Sequence, residues 1–339
     1  MGDGETLAMG KLPMELLQAL LARYTQVDDR LVVGPRVGED VAVVDMGDRY
    51  LVIKTDPITF ATDQIGWYAV HVNANDIATS GARPRWMLTT VLLPERSTTA
   101  ALVEDIFQQL HQACEGLGIT LAGGHTEVAW GLERPIVVGV LLGEVAHDRL
   151  LCTADARVGD QILLVKAIPI EGTAIIARER REELLQRGFS ADMLTRASDA
   201  IYDPGISVVE VAGVAAEHPG VHAMHDPTEG GVATGLHELA HAARAGVRFY
   251  RERVPLLPEG EALCRAYGLD PMGVIASGAL LVAAAPEHAP ALIQRYENRG
   301  IPCVHIADLV PAEQGCTMEM EQGNLPLPRY DSDEITRLF

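Results

Sequence analysis

His71-Val72-Asn73-Ala74-Asn75-Asp76-Ile77-Ala78-Thr79-Ser80-Gly81-Ala82-Arg83-Pro84 is the stretch whose reading decides the fold. Val70, Ala74, Ile77, Ala78 and Gly81 recur at helical spacing and give one small apolar face. The pattern predicts a helix that stops at Gly81, with Pro84 confirming the stop. Asn75 and Asp76 lie inside it. A carboxylate among small apolar neighbours is costly unless something positive meets it. No Lys or Arg stands three or four residues from Asp76 along the helix. Its partner must come from elsewhere in the fold: a bound metal, backbone N–H groups or a distant Arg.

Upstream, Gly38-Glu39-Asp40 runs into the β-like Val41 to Val44, Met46-Gly47-Asp48 is a turn, and Tyr50 to Lys54 is a second strand. The result is a hairpin whose second strand ends in Lys54-Thr55-Asp56-Pro57. In an antiparallel pair the end of one strand faces the start of the other. Asp40 and Asp56 are therefore expected at one edge of the sheet. Two acids there repel unless a cation lies between them, although either alone also reads as a turn residue. Before the hairpin, the Gly-rich polar Met1 to Gly10 leads through Lys11 into a helix, Met14 to Tyr24. Leu16, Leu17, Leu20, Leu21 and Tyr24 share one face of it. Lys11 reads either as a solvated lysine or as a charge folded over a ligand.

Downstream, Ile119 to Ala122 is a short strand that enters Gly123-Gly124-His125-Thr126-Glu127. Two glycines after a strand make a tight turn or let the backbone approach a ligand. His125 and Glu127 are candidate metal or phosphate contacts. The polar segment from Ala146 to Gly159 predicts a boundary, with domains at 1–150 and 151–339. In the second half, Asp226-Pro227-Thr228-Glu229-Gly230-Gly231 precedes a helix from about Val232 to Ala243. Bare glycines at a helix start present N–H groups to a phosphate; a simple capped start is the alternative. The same helix contains His237-Glu238-Leu239-Ala240-His241, a literal HExxH. Zinc peptidases place two His ligands one turn apart in this way, with Glu as base. No third His follows at metzincin spacing, and a third ligand would have to come from a later helix, Glu261 for example.

The 339 residues are 48% apolar and 22% charged, as in a soluble globular protein of two domains. No apolar stretch is long enough to span a bilayer, and no basic-then-apolar leader opens the sequence, so the cytoplasm is expected. A net charge of −20 argues against nucleic acid as a partner. It also means that a phosphate ligand needs local help from metal or backbone N–H groups. Five scattered cysteines without a CxxC pair indicate neither a disulfide framework nor a Cys-based zinc site.

In this order the motifs resemble the AIR synthase-like (PurM-like) superfamily. Gly38-Glu39-Asp40-Val41-Ala42-Val43 is similar to its G-D-D-A-A-V segment, and Thr55-Asp56 to the T-D that follows. Asn75-Asp76-Ile77-Ala78 with Gly81-Ala82-Arg83-Pro84 resembles V-N-D-L-A…G-A-x-P. Gly123-Gly124-His125-Thr126 resembles G-G-[DEH]-[ST]. Asp226 to Gly231 most resembles the D-P-T-R-G-G of the hydrogenase-maturation HypE group. The resemblance implies an α/β (α+β type) fold of two domains. The N-terminal mixed sheet would form a dimer barrel, and the C-terminal half an α/β sandwich. It implies a homodimer and ATP with Mg²⁺. Asp40, Asp76 and Asp226 would hold the metal. Asn75, Gly124, Thr126, Gly230 and Gly231 would lie by the nucleotide, with Asp56 and Lys11 catalytic. Three departures stand out. The HypE group ends in a Cys that carries the modified group, whereas this sequence ends in Phe339 and its last Cys is Cys316. Glu229 stands in place of Arg, and His125 in place of an acid. The expected function is an ATP/Mg-dependent enzyme that activates an oxygen-bearing substrate by phosphoryl transfer, with hydrogenase maturation as its setting. A zinc hydrolase built on His237 and His241, and a non-catalytic nucleotide-binding maturation partner, are the alternatives.

Overall fold

Strands of alternating burial build the first half of the chain, which we describe from a computed structural model. The structure describes Leu7 and residues 12–26, 28–36, 38–59, 63–320, 323–330 and 332–339. Lys11 lies outside the described residues. Helix α1 is Met14–Tyr24. Strands β1 (Leu31–Val33), β2 (Ala42–Asp45) and β3 (Tyr50–Ile58) follow, then α2 (Ile65–Thr79), β4 (Arg83–Pro94) and α3 (Ala100–Leu117). Strands β5 (Thr120–Ala129) and β6 (Ile136–Val145) complete a mixed sheet of order β1-β2-β3-β6-β4-β5. The β4–β5 pair is parallel and the other pairs are antiparallel.

Val52, Met87, Val91 and Leu141 point from the sheet toward α2 and α3 and are fully buried. Gly66 lets the two helices touch, because a Cβ there would lie 2.7 Å from the Ile106 carbonyl oxygen. Burial along α2 is not confined to one face: 13 of its 15 residues are buried. The reason is its position, between the first sheet and the second half of the chain. No described residues form a layer over the opposite face of the sheet. On it the register aligns Ile53, Leu142 and Trp86, and next to them Val140 and Leu88, an apolar surface without a layer above it among the described residues. Helix α1 differs from its expected packing. Its apolar positions are at best half-buried, and Tyr24 is exposed.

The second half comprises β7 (Gln161–Val165), α4 (Ile170–Glu179), α5 (Arg181–Gln186), α6 (Ala191–Ser198), α7 (Val209–Ala216) and β8 (Val221–His225). It continues with α8 (Gly231–Ala243), β9 (Gly246–Phe249), α9 (Pro258–Tyr267), β10 (Leu280–Ala284), α10 (Ala289–Glu297) and β11 (Cys303–Val310). The short β12 (Cys316–Met318) and β13 (Leu325–Pro326) extend a second mixed sheet, β13-β12-β9-β11-β7-β10-β8. Strands β7 and β10 read as unbroken apolar runs because both their faces are covered, one by α8 and the other by α7 and α10.

Asn75 joins the halves. Its side-chain amide donates to the Ile206 carbonyl at 2.8 Å, and its oxygen accepts the Val208 N–H at 2.7 Å. Glu39 makes a second join, accepting the Ala154 N–H at 3.1 Å. No helix among the described residues is long and apolar enough to cross a membrane.

Candidate functional site: an acid cluster between the two halves

Period-two geometry in β3 puts Lys54 and Asp56 on the same, α2-facing side of the first sheet. One helix turn below the end of α2, Asp76 faces them. The Lys54 ammonium lies 2.8 Å from Asp76 Oδ2 and 3.2 Å from Asp56 Oδ2. This is the cation that the sequence required for Asp76, supplied by a strand rather than by an Arg. Burial opposes the charge on Lys54, but Asp76, Asp56 and Asp40 outweigh it and raise its pKa. Burial pushes the Asp76 carboxyl up to about 7; Asp40 and Asp56 add to the rise and Lys54 offsets part of it. Asp56 is likewise raised by burial, with Glu229 and Asp40 contributing against Lys54.

The hairpin register pairs Ala42 with Ile53, so Asp40 enters β2 at the end where Asp56 leaves the paired stretch. From the second half, β8 ends at His225 and delivers Asp226 to the same place. Asp40, Asp76 and Asp226 each offer an oxygen, and these atoms all lie within 4.8 Å of one another. Asp226 is 2% exposed, and neither of its oxygens finds a donor among the described residues. Burial holds its carboxyl well above the usual range, with Asp76 and Asp40 adding to the effect. His225 steadies Asp40 from behind. Its Nδ1 is 3.2 Å from Asp40 Oδ2 and its Nε2 is 3.0 Å from Glu238 Oε2. Burial disfavours the imidazolium, yet Asp40 and Glu238 outweigh that and raise the pKa of His225 well above normal.

Three converging carboxylates, with neither oxygen of Asp226 given a donor among the described residues, could hold a hard divalent cation, which takes oxygen ligands. Hydrogen-bonded carboxylates need no such ion. Asp40 and Asp76 have His225 and Lys54; the oxygens of Asp226 find no donor among the described residues.

The other residues singled out in the sequence are placed differently. Asn75 is fully buried and spends both ends of its amide on the backbone of residues 206 and 208. Those two bonds put Asn75 in the join between halves and leave one Nδ2 hydrogen and one Oδ1 lone pair over. Gly124 and Thr126 lie on β5, which continues through Gly123-Gly124 as an extended edge strand and makes no turn. Three strand spacings, about 14 Å, separate β5 from β3, so the chain does not bring either residue to Asp56. The glycine at 124 is explained by its neighbour: a Cβ would lie 1.9 Å from the Thr89 oxygen. His125 and Glu127 face each other on the exposed strand at 3.2 Å.

The N–H groups of Gly230 and Gly231 are also committed. Gly230 donates to Asp333 Oδ2 at 2.7 Å and Gly231 to the Thr228 carbonyl at 3.0 Å. A Cβ on Gly231 would meet the Met272 oxygen at 2.4 Å, so backbone crowding demands this glycine. The HExxH side chains have three separate surroundings. His237 Nε2 lies 3.1 Å from the Leu327 carbonyl oxygen, Glu238 pairs with His225, and His241 lines an open cavity of about 650 Å³ with Arg36 and Arg244. Among the described residues, the acids at 40, 76 and 226 are the group whose donor atoms converge.

Sequence reasoning missed Lys54 and His225 as members of the site. Lys54 had a signal, since Lys-x-Asp in a strand puts both charges on one face. His225 had none beyond its place next to Asp226.

Fold and site together define a two-domain α/β protein with an acid cluster at the junction of its halves. Family models for the AIR synthase related protein match it in two parts, the N-terminal domain at residues 38–145 and the C-terminal domain at 157–316. The chain belongs to the AIR synthase related family. It is 31% identical over 305 residues to carbamoyl dehydratase HypE of Cupriavidus necator, which covers 86% of this chain and 80% of that protein. It is 31% identical over 326 residues to the hydrogenase expression/formation protein HupE of Azotobacter chroococcum, covering 93% and 88%. The crystal structure of the hydrogenase maturation protein HypE in complex with ATP shares the fold, with a TM-score of 0.70 at 24% identity over 93% of this chain and 91% of that one.

Proposed function

We propose that this chain is an ATP- and Mg²⁺-dependent enzyme of the HypE type, which activates an oxygen-bearing substrate by phosphoryl transfer in hydrogenase maturation. The observation that carries the reading is the convergence of Asp40, Asp76 and Asp226 on one point between the halves. Mg²⁺ held there neutralises charge on the phosphates of ATP and orients the transferred group. The three carboxylates bind the ion. His225, held by Glu238, fixes the direction of Asp40. Lys54 offsets part of the burial that raises the pKa of Asp56 and Asp76. Phosphoryl transfer asks for positioning and charge more than for a covalent nucleophile, and this set of side chains supplies both. Isothermal titration of Mg²⁺ with a non-hydrolysable ATP analogue tests it. Asp76→Ala is expected to weaken binding by at least about a hundredfold, some 2.7 kcal/mol. Equal affinity for variant and wild type sinks the assignment.

The homodimer belongs to the same proposal. Trp86 and Leu88 are 40% and 39% exposed on a sheet face that carries Ile53, Val140 and Leu142 beside them. An apolar surface of this kind marks an interaction site. A second copy of the same face would cover it. Leu88→Glu should convert a dimer to a monomer in sedimentation equilibrium; a variant that keeps the wild-type mass removes this face from consideration.

A further inference from the structure

Asp56 is the acid that stays outside the converged group of three. What it meets is Lys54, and the way strand β3 holds the pair fixes their positions. Lys54 is paired in register with Leu141 and Asp56 with Gly139. Asn73 fills the space that a side chain at 139 would take, since a Cβ there would lie 2.4 Å from Asn73 Nδ2. Asn73 Oδ1 in turn accepts the Asp56 N–H at 2.9 Å. The backbone of Asp56 is thus pinned from the helix side, and its carboxylate lies toward Lys54. The Lys54 side chain is only 12% exposed, so its ammonium is committed to the two acids rather than to water.

We propose that the Lys54 ammonium is a resident cation in the place between Asp56 and Asp76 where a second divalent ion would otherwise bind, so that the site takes one ion per chain. The inference rests on reading Asp40, Asp76 and Asp226 as an ion site. A divalent ion bridging Asp56 and Asp76 needs their oxygens at about 2.1 Å, which would set it against the ammonium already lying between them. Two positive charges at that separation, in a buried site, repel strongly. An ion among Asp40, Asp76 and Asp226 shares only Asp76 with the ammonium and has two further carboxylates to offset the repulsion. The phosphates of a nucleotide would then face one exchangeable cation and one tethered cation.

Titration of the full chain with Mn²⁺, followed by the electron paramagnetic resonance of the free ion, counts the sites directly. Wild type is expected to bind one Mn²⁺ per chain. Lys54→Met, similar in length but neutral, is expected to bind two. Lys54→Arg restores one, and Lys54→Met combined with Asp56→Asn also returns to one. Two ions in wild type, or one in a folded Lys54→Met variant, overturn the inference and leave the three-acid site standing. No ion in any of these chains overturns both. Asp56→Asn alone keeps the inference open to refutation where Lys54→Met does not fold. Because Asp56 does not ligate the first ion, its Mn²⁺ affinity is expected within about twofold of wild type, and a loss of about tenfold or more overturns the inference.

Discussion

Asp226→Asn should raise the melting temperature of the ligand-free protein and abolish its stabilisation by Mg²⁺ with nucleotide. The two effects have one cause. In the ligand-free chain a carboxylate with no donor on either oxygen among the described residues is buried beside Asp40 and Asp76. Burial raises its folded pKa well above the unfolded value. Between those two values the folded state holds a proton that the unfolded state has released, so stability falls as pH rises through that window. The amide of Asn has no such proton to lose. The variant's advantage is therefore smallest in mild acid and grows toward alkaline pH, reaching roughly 2 kcal/mol, the scale of an uncompensated buried charge after relaxation. For a domain of this size that is a rise of about 4–8 °C. With Mg²⁺ and a non-hydrolysable nucleotide at about a hundred times Kd, the wild type gains about 2.7 kcal/mol and the variant gains nothing. Differential scanning fluorimetry across pH, with and without the ligands, checks both. A ligand-free variant less stable than wild type at high pH contradicts the account of Asp226.

Asn75→Ala should destabilise the protein before it touches chemistry. The substitution removes two hydrogen bonds that span the halves and leaves the Ile206 carbonyl and the Val208 N–H buried without partners. Each orphaned group costs about 1–3 kcal/mol, so a loss of about 3 kcal/mol is expected, a fall of roughly 6–12 °C. Asn75→Asp should be at least as damaging, because one of its carboxylate oxygens must face the Ile206 carbonyl. Chemical denaturation measures the loss. Nucleotide affinity, measured well below the melting temperature, should change by no more than about threefold, under 0.7 kcal/mol. A large affinity loss with unchanged stability returns Asn75 to the nucleotide.

How far the sequence disclosed the site can be judged residue by residue. Asp76 was visible because a carboxylate inside a run of small apolar residues demands a partner. Asp40 was visible because a hairpin brings strand ends together. The identity of the partner was not visible: Lys54 joins Asp76 through a sheet-to-helix contact, and one-dimensional spacing carries no such distance. The glycines show the same gap from the other side. Gly124 reads as a tight turn or an approach to a ligand, and Gly231 as a bare N–H offered to a phosphate; both mark close backbone approaches. What approaches is the Thr89 oxygen in one case and the Met272 oxygen in the other. A glycine says that something comes near, and only the fold says what. The HExxH pattern looked like a ligand set because helical spacing was the only geometry available. Once α8 is packed, β8 takes its Glu and the chain near Leu327 takes its first His. The two mixed sheets were more legible, since their alternating and continuous apolar runs are local properties. The uncovered face of the first sheet was not foreseen from periodicity, because alternation looks the same whether a second layer is present or absent.

Asp40 and Asp76 hang from the first sheet's half, and Asp226 from the second. Any species that grips all three would work as a removable cross-link between the halves, stabilising the folded state because it binds that state alone. Ligand occupancy would then add one more tie between halves that Asn75 and Glu39 already join.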